Sequence, residues 1–342
     1  MVDWARLGDA PLRAPFYQES LKPLLSTPFN QAFRRQTPLD ALLAWHAQSP
    51  GIAPCLLVFH VSRCGSTLFP QALAQSAHHL AMSEPPPVDF LLREALVNGW
   101  LSPAQAIAAL RAWMSAWAQR SDAASPALQS AVLKMDAWDA GPATPAPTPP
   151  HYASIKSGPC NTGEAPVLMQ AWPQALPVFL TREPLAVLVS QMQERAFYLV
   201  PGAFGPSFGL PGLNLLEQAT MPPEQYCARM LGRIYADMAR VADPAQALVL
   251  DHAQLPEAIE QLVLPRLAWQ PDAHAMRALR ERLSRHGKRP HEPFAQDTND
   301  KHAKANAAWR ALAEQWMAPH YQQLRARCEA HDRAETLTEA AI

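Results

Sequence analysis

The 342-residue sequence has no Cys-x-x-Cys pair, only 17 % charged residues and no apolar run approaching the length of a membrane span. Its five cysteines, Cys55, Cys64, Cys160, Cys227 and Cys328, are odd in number and scattered, which argues against a disulfide framework or a zinc knuckle and for a reducing cytoplasm. The opening Met-Val-Asp-Trp-Ala-Arg-Leu-Gly-Asp has no basic start followed by an apolar core, so export is not expected. With 29 Lys and Arg against 30 Asp and Glu, the net charge of -1 creates no long-range field for nucleic acid or anionic lipid. Any anion site must be local, built by a few converging cations. Glycine is scarce beside proline, 13 against 35, which suggests rigid connections. An apolar share of 49 % excludes wholesale disorder, and the length suits one α/β domain with additions while permitting two.

What is present centres on residues 55–77. Cys55 to His60 form a nearly unbroken apolar run, as in a strand buried on both faces, and Leu68, Ala72, Leu73 and Ala77 recur at helical spacing. Between them lies Ser62-Arg63-Cys64-Gly65-Ser66-Thr67, a glycine, hydroxyls and a cation where unpaired N-H groups favour an anion. The Walker loop needs Gly, four residues and Gly-Lys-Ser/Thr, and this loop has one glycine and no lysine. A second strand-to-helix turn follows at 177–191. Val178 to Thr181 is a strand, Arg182 stands at its end, Pro184 takes the first helical position and Ser190 lies two turns on.

Arg63-Cys64-Gly65-Ser66-Thr67, continued into the helix by Leu68, resembles the 5'-phosphosulfate loop of the sulfotransferases, with arginine where many members carry lysine. Arg182 and Ser190 resemble that family's 3'-phosphate pair in type, spacing and order. The resemblance implies an α/β three-layer sandwich with a central parallel sheet and helices on both faces. It implies 3'-phosphoadenosine 5'-phosphosulfate (PAPS) as donor, adenosine 3',5'-bisphosphate as product, and no metal.

Further residues find a place in that scheme. Leu80 to Glu84 is a short strand stopped by Pro85, Pro86 and Pro87, which remove successive donors and hold Glu84 at a strand's carboxyl end, the ligand-binding edge of such sheets. Some sulfotransferases use a glutamate there as general base. Ala131 to Asp136 is a third strand that puts Lys134 and Asp136 on one face. The family's catalytic histidine position is here Asp136, which makes Glu84 the first candidate base and Asp136 the second, with His60 and His78 behind them. Lys134 assists from the sulfuryl side, and Arg63, always protonated, acts electrostatically. The basic stretch Ser284 to His291 has the composition of the family's third motif, which closes over the 3'-phosphate, so Arg285 and Lys288 join the cofactor residues.

Around this core, residues 1–50 are an arm expected to pack on the domain edge, with Leu39 to His46 helical. Its Phe16, Tyr17, Phe29 and Phe33 are expected to be anchors more than a pocket roof. Residues 51–335 form a single sulfotransferase-like domain with a proline-rich insertion at 140–151. Residues 88–119 give two helices, the second carrying a core stripe through Leu110, Trp113 and Met114. The Gly- and Pro-punctuated 197–212 stretch is a lid or an ordered loop. Helix 224–240, strand 247–251, helices over 254–286 and a last helix over about 300–331 complete the pattern. Aromatics near 197–208 lean towards a small-molecule acceptor, a metabolite or lipid-like alcohol. An ATP phosphotransferase and an inactive module of the same fold are the competing expectations.

Overall fold

The computed structural model describes residues 1–7, 14–76, 79–96, 98–119, 130–135, 142–143, 162–203, 209–267, 269 and 271–339. Strands follow in chain order as β1 Val2–Trp4, β2 Arg35–Thr37, β3 Leu56–His60, β4 His79–Ser83, β5 Ser130–Lys134, β6 Pro142–Ala143, β7 Thr162–Gly163, β8 Leu176–Thr181 and β9 Leu248–Asp251. Five of them form one sheet in the order β4-β5-β3-β8-β9, with every neighbouring pair parallel. These are the five strands expected from the sequence, displaced by a residue or two at their ends.

Every residue of β3, β4 and β9 is buried. Successive side chains point to opposite faces, so unbroken burial requires cover on both, which is the three-layer α/β arrangement. Phe59 and Phe179 stack at 5.0 Å between ring centroids across the β3–β8 pair. From β3 the chain turns to β4 and β5 on one side, then returns to β8 and β9 on the other. The β3–β8 boundary is therefore the switch point of the sheet, the place at the carboxyl edge where ligands bind in doubly wound folds.

Local signals set the flanking helices. Glu183 caps Pro184–Gln193 by accepting from Leu185 N at 2.9 Å and Ala186 N at 2.7 Å, with Pro184 at the first helical position. Ser102 and Gln105 form a capping box for Pro103–Trp117, whose Leu110, Trp113 and Met114 are buried as expected. Pro86, Pro87, Val88 and Asp89 begin a helix directly after Pro85, so the three prolines end β4 and start the next element.

Two expectations are corrected. The last helix is three, Thr298–Ala303, Ala307–Trp316 and Ala318–Glu339. Asn306 caps the second through Trp309 N at 2.8 Å, and Pro319 lacks the N-H that an uninterrupted helix would use. Over 254–286 the only regular α-helix among the described residues is Ala273–Leu283, because Pro256, Pro265 and Pro271 break the segment into short turns.

The arm at 1–50 folds partly on itself. β1 and β2 pair antiparallel, and Trp4 Nε1 donates to Thr37 Oγ1 at 2.8 Å. Helix Leu39–Gln48 packs on Pro103–Trp117, and Tyr17 is anchored against Trp117 and Trp113 at 5.1 and 6.3 Å between centroids. Phe29 and Phe33 are exposed and are not anchors. Of the proline-rich 140–151 stretch, Pro142–Ala143 pairs with Thr162–Gly163; the remainder lies outside the described residues.

Candidate active site at the carboxyl edge of the sheet

Because all five strands run parallel, their carboxyl ends share one edge. His60, Ser83, Lys134, Thr181 and Asp251 are the last strand residues. Arg63, Glu84, Arg182 and His252 follow within three residues of those ends, on the same rim.

The loop after β3 turns on Gly65, whose φ of 82° suits a residue without a side chain. A Cβ there would lie 3.1 Å from Leu255 Cδ1 and 3.3 Å from His252 Cδ2, so a side chain would also press on the turn after β9. Gln191 is fully buried and donates from Nε2 to Ser62 Oγ at 2.6 Å, fixing the loop to the helix that follows Arg182. Among the described residues only Arg63 and Glu84 are non-glycine residues with positive φ, 60° and 53°. Each conformation costs about 1–3 kcal/mol, and such strain collects at functional positions.

The cations of the rim are held by defined partners. Arg63 donates from Nη1 to Glu194 Oε2 at 3.0 Å and from Nη2 to the Glu194 carbonyl at 2.5 Å. Arg182, 5 % exposed, donates from Nη1 to the Arg63 carbonyl at 2.7 Å and from Nη2 to Asp297 Oδ1. Its own carbonyl accepts from the buried Tyr235 hydroxyl at 2.6 Å. Burial would raise the Asp297 carboxyl, but the charge and hydrogen bond of Arg182, helped by Lys301, outweigh it and hold it below the usual carboxylate range. Lys301 donates to Gln193 Oε1 at 2.7 Å and stands 3.8 Å from Asp297 Oδ2.

Lys134, with its side chain 1 % exposed, donates from Nζ to Glu84 Oε1. His60 lies beneath them, Nε2 3.8 Å from Glu84 Oε1 and 2.7 Å from the Met135 carbonyl, with Nδ1 2.8 Å from the Val61 carbonyl. Burial and the Lys134 charge pull its pKa down to about 4 against the opposing pull of Glu84 and the two carbonyls, and the ring is packed in the strand. Burial pushes the Cys64 thiol up to about 11, which removes it as a nucleophile.

The basic stretch near the C-terminus folds over the loop. Arg282 gathers the carbonyls of Arg285, His286 and Gly287 at 3.3, 3.3 and 2.7 Å and reaches Gln71 Oε1 at 3.3 Å. A Cβ at Gly287 would lie 3.3 Å from Thr67 Cβ and 3.4 Å from Leu68 N. Arg285 is exposed and takes part through its backbone, paired with Pro293. Lys288 Nζ sits 5.0 Å from the centroid of Phe16, and Lys134 Nζ 5.4 Å from the same ring. Lys288 thus shares a ring with Lys134, the partner of Glu84. Phe16 departs from its expected anchoring role.

Ser66 and Thr67 are buried in the loop, and Ser190 is half-buried two turns into its helix. Asp136 and His78 lie outside the described residues. The sequence reading missed Glu194, Asp297, Lys301 and His252. Asp297 precedes a helix and reads as an N-cap, yet its carboxylate makes no cap and turns to Arg182. Of the 197–212 stretch, Phe197–Leu199 is a 3-10 turn with Tyr198 buried and Phe197 exposed. Among the described residues no group of three or more His, Cys, Asp or Glu is placed to hold a metal ion, and no helix is long and apolar enough to cross a membrane.

No family model and no curated protein matches the chain. Among solved structures it is similar to a sulfotransferase from Alicyclobacillus acidocaldarius, at 14 % identity over 81 % of this chain and 96 % of that one, with a TM-score of 0.38. It is similar also to the sulfotransferase domain from the curacin biosynthetic pathway, at 13 % identity over 77 % of this chain and 98 % of that one, with a TM-score of 0.39.

Proposed function

We propose that the chain is a PAPS-dependent sulfotransferase acting on a hydroxyl or amine of a small molecule. The observation that supports this reading is the hydrogen bond from Arg182 to the Arg63 carbonyl, which joins the two segments that resemble the family's phosphate-binding motifs. The amides and hydroxyls of Gly65, Ser66 and Thr67 would hold the 5' side of the nucleotide, and Arg182 with Ser190 the 3'-phosphate.

In the transfer, the acceptor oxygen forms a bond to sulfur as the bond between sulfur and the bridging phosphate oxygen breaks. The electron pair of the broken bond leaves on the 5'-phosphate of adenosine 3',5'-bisphosphate. The acceptor proton goes to a carboxylate, for which Glu84 on the rim is the first choice and Asp136 the second. Arg63 and Lys134 would steady the negative charge spread over the group in flight and the departing phosphate, so that catalysis is mostly positioning and electrostatics. The neutral overall charge suits a small acceptor, and the cysteine pattern suits a cytoplasmic home.

The test is incubation of the purified chain with sulfur-labelled PAPS and a fractionated cell extract, followed by mass spectrometry of labelled products. Label in small molecules, with stoichiometric adenosine 3',5'-bisphosphate, is the expected result. Transfer of phosphate from ATP in the same fractions, with no sulfur label, would assign the site to a phosphotransferase instead.

A further inference from the structure

Four cations converge on the loop with carboxylate partners. Arg63 has Glu194, Lys134 has Glu84, and Arg182 and Lys301 share Asp297. Lys288 is different. Among the described residues no carboxylate lies within ion-pair distance of it, and its ammonium rests on the face of the Phe16 ring. That ring faces two ammonium groups, because Lys134 approaches it as well.

The place is fixed from three sides. Phe16 directly precedes helix Tyr17–Leu25, whose Tyr17 is locked between Trp113 and Trp117. Gly287 is seated against Thr67 and Leu68, and Arg282 binds the turn through three carbonyls. Lys288 as a whole residue is exposed, yet partial desolvation of the ammonium, followed by the charges of Arg63 and Lys134, lowers its pKa from the ordinary lysine value, and Glu84 and Glu194 only partly offset this. A cation held near like charges with no counter-ion of its own is placed to receive a ligand anion.

We infer that Lys288 is a catalytic residue on the transfer side of the site, where with Lys134 it receives the oxygens of the sulfuryl group and not the 3'-phosphate. The inference rests on the sulfotransferase reading. Lys134 shares its ammonium with Glu84, so Lys288, which has no such carboxylate among the described residues, adds a second cation for the three sulfuryl oxygens while the bond from sulfur to the phosphate oxygen breaks and the bond to the acceptor forms. Phe16 offers its ring to both ammonium groups by cation–π contact.

The experiment measures equilibrium binding of PAPS, adenosine 3',5'-bisphosphate and adenosine 5'-monophosphate to the wild-type chain, Lys288→Met and Lys288→Arg. Tight wild-type binding of the bisphosphate tests the underlying reading, and its absence sinks that reading whatever the variants do. Given that binding, Lys288→Met is expected to weaken PAPS by about tenfold or more while changing the bisphosphate less than about twofold, and Lys288→Arg to restore PAPS. The preference for bisphosphate over monophosphate stays as in wild type. Equal weakening of all three ligands, loss confined to the bisphosphate-over-monophosphate preference, or no change in any of them would overturn the assignment.

Discussion

Arg182 Nη1 donates to the carbonyl of Arg63 at 2.7 Å, joining two segments 119 positions apart in the chain. The loop after β3 and the arginine after β8 are therefore held together, and on the proposed reading they receive one nucleotide between them. Replacing Arg182 by lysine removes the planar fork that reaches both Arg63 and Asp297. The expected outcome is a loss of about 10- to 100-fold in affinity for adenosine 3',5'-bisphosphate, with adenosine 5'-monophosphate little changed, measured by calorimetry. Equal losses for both nucleotides would place Arg182 away from the 3'-phosphate.

Asp297 is the ion-pair partner of Arg182, and on the proposed reading the 3'-phosphate would share or replace that partner. Asp297→Asn keeps the shape and removes the competing charge. Affinity for the bisphosphate is expected to rise about two- to fivefold, the scale of a partly exposed ion pair, and the gain should shrink at high salt. Weaker binding in this variant would mean that Asp297 positions the guanidinium for the ligand and does not compete with it.

All five strands of the sheet could be read from the sequence because each is a short apolar run bounded by turn signals, as at Leu56–His60 and Leu176–Thr181. Pro184 and Ser102 marked helix starts for the same local reason. The partners of the rim cations were hidden. Glu194, Asp297 and Lys301 are ordinary surface residue types, and only the fold carries them to Arg63 and Arg182. Phe16 sat in a turn-rich arm with no periodic pattern to place it, so nothing local could show that its ring lies beside Lys134 and Lys288.

Glu84→Gln keeps a carbonyl oxygen able to accept from Lys134 while removing the ability to take a proton. Turnover of PAPS with extract acceptors is expected to fall by about 10²- to 10⁴-fold, with bisphosphate affinity changed less than about threefold. Near wild-type turnover would shift the base role to Asp136, and Asp136→Asn is the companion measurement.

His60 and His252 are both pulled down to about 4, by burial first and then by Lys134 and Arg182 respectively. Between the ordinary value of 6.5 and about 4, the unfolded chain binds protons that the folded chain refuses. Stability from these groups is therefore fully present above pH 6.5 and erodes as pH falls towards 4, by at most about 3 kcal/mol for each histidine. Melting temperatures from pH 7 to 4.5 should fall less steeply in His60→Gln and His252→Gln than in the wild type. Parallel slopes would show that folding does not lower the pKa of either histidine.

The central claim is that one crevice between β3 and β8 accepts an adenosine bearing phosphate at both its 5' and 3' positions. Calorimetric titration of the wild-type chain with adenosine 3',5'-bisphosphate, adenosine 5'-monophosphate and magnesium ATP tests it most directly. The account predicts a preference of about 100-fold for the bisphosphate over each of the others, on the scale of two added charge-assisted hydrogen bonds. Tight binding of ATP with no preference for the 3'-phosphorylated nucleotide would contradict it.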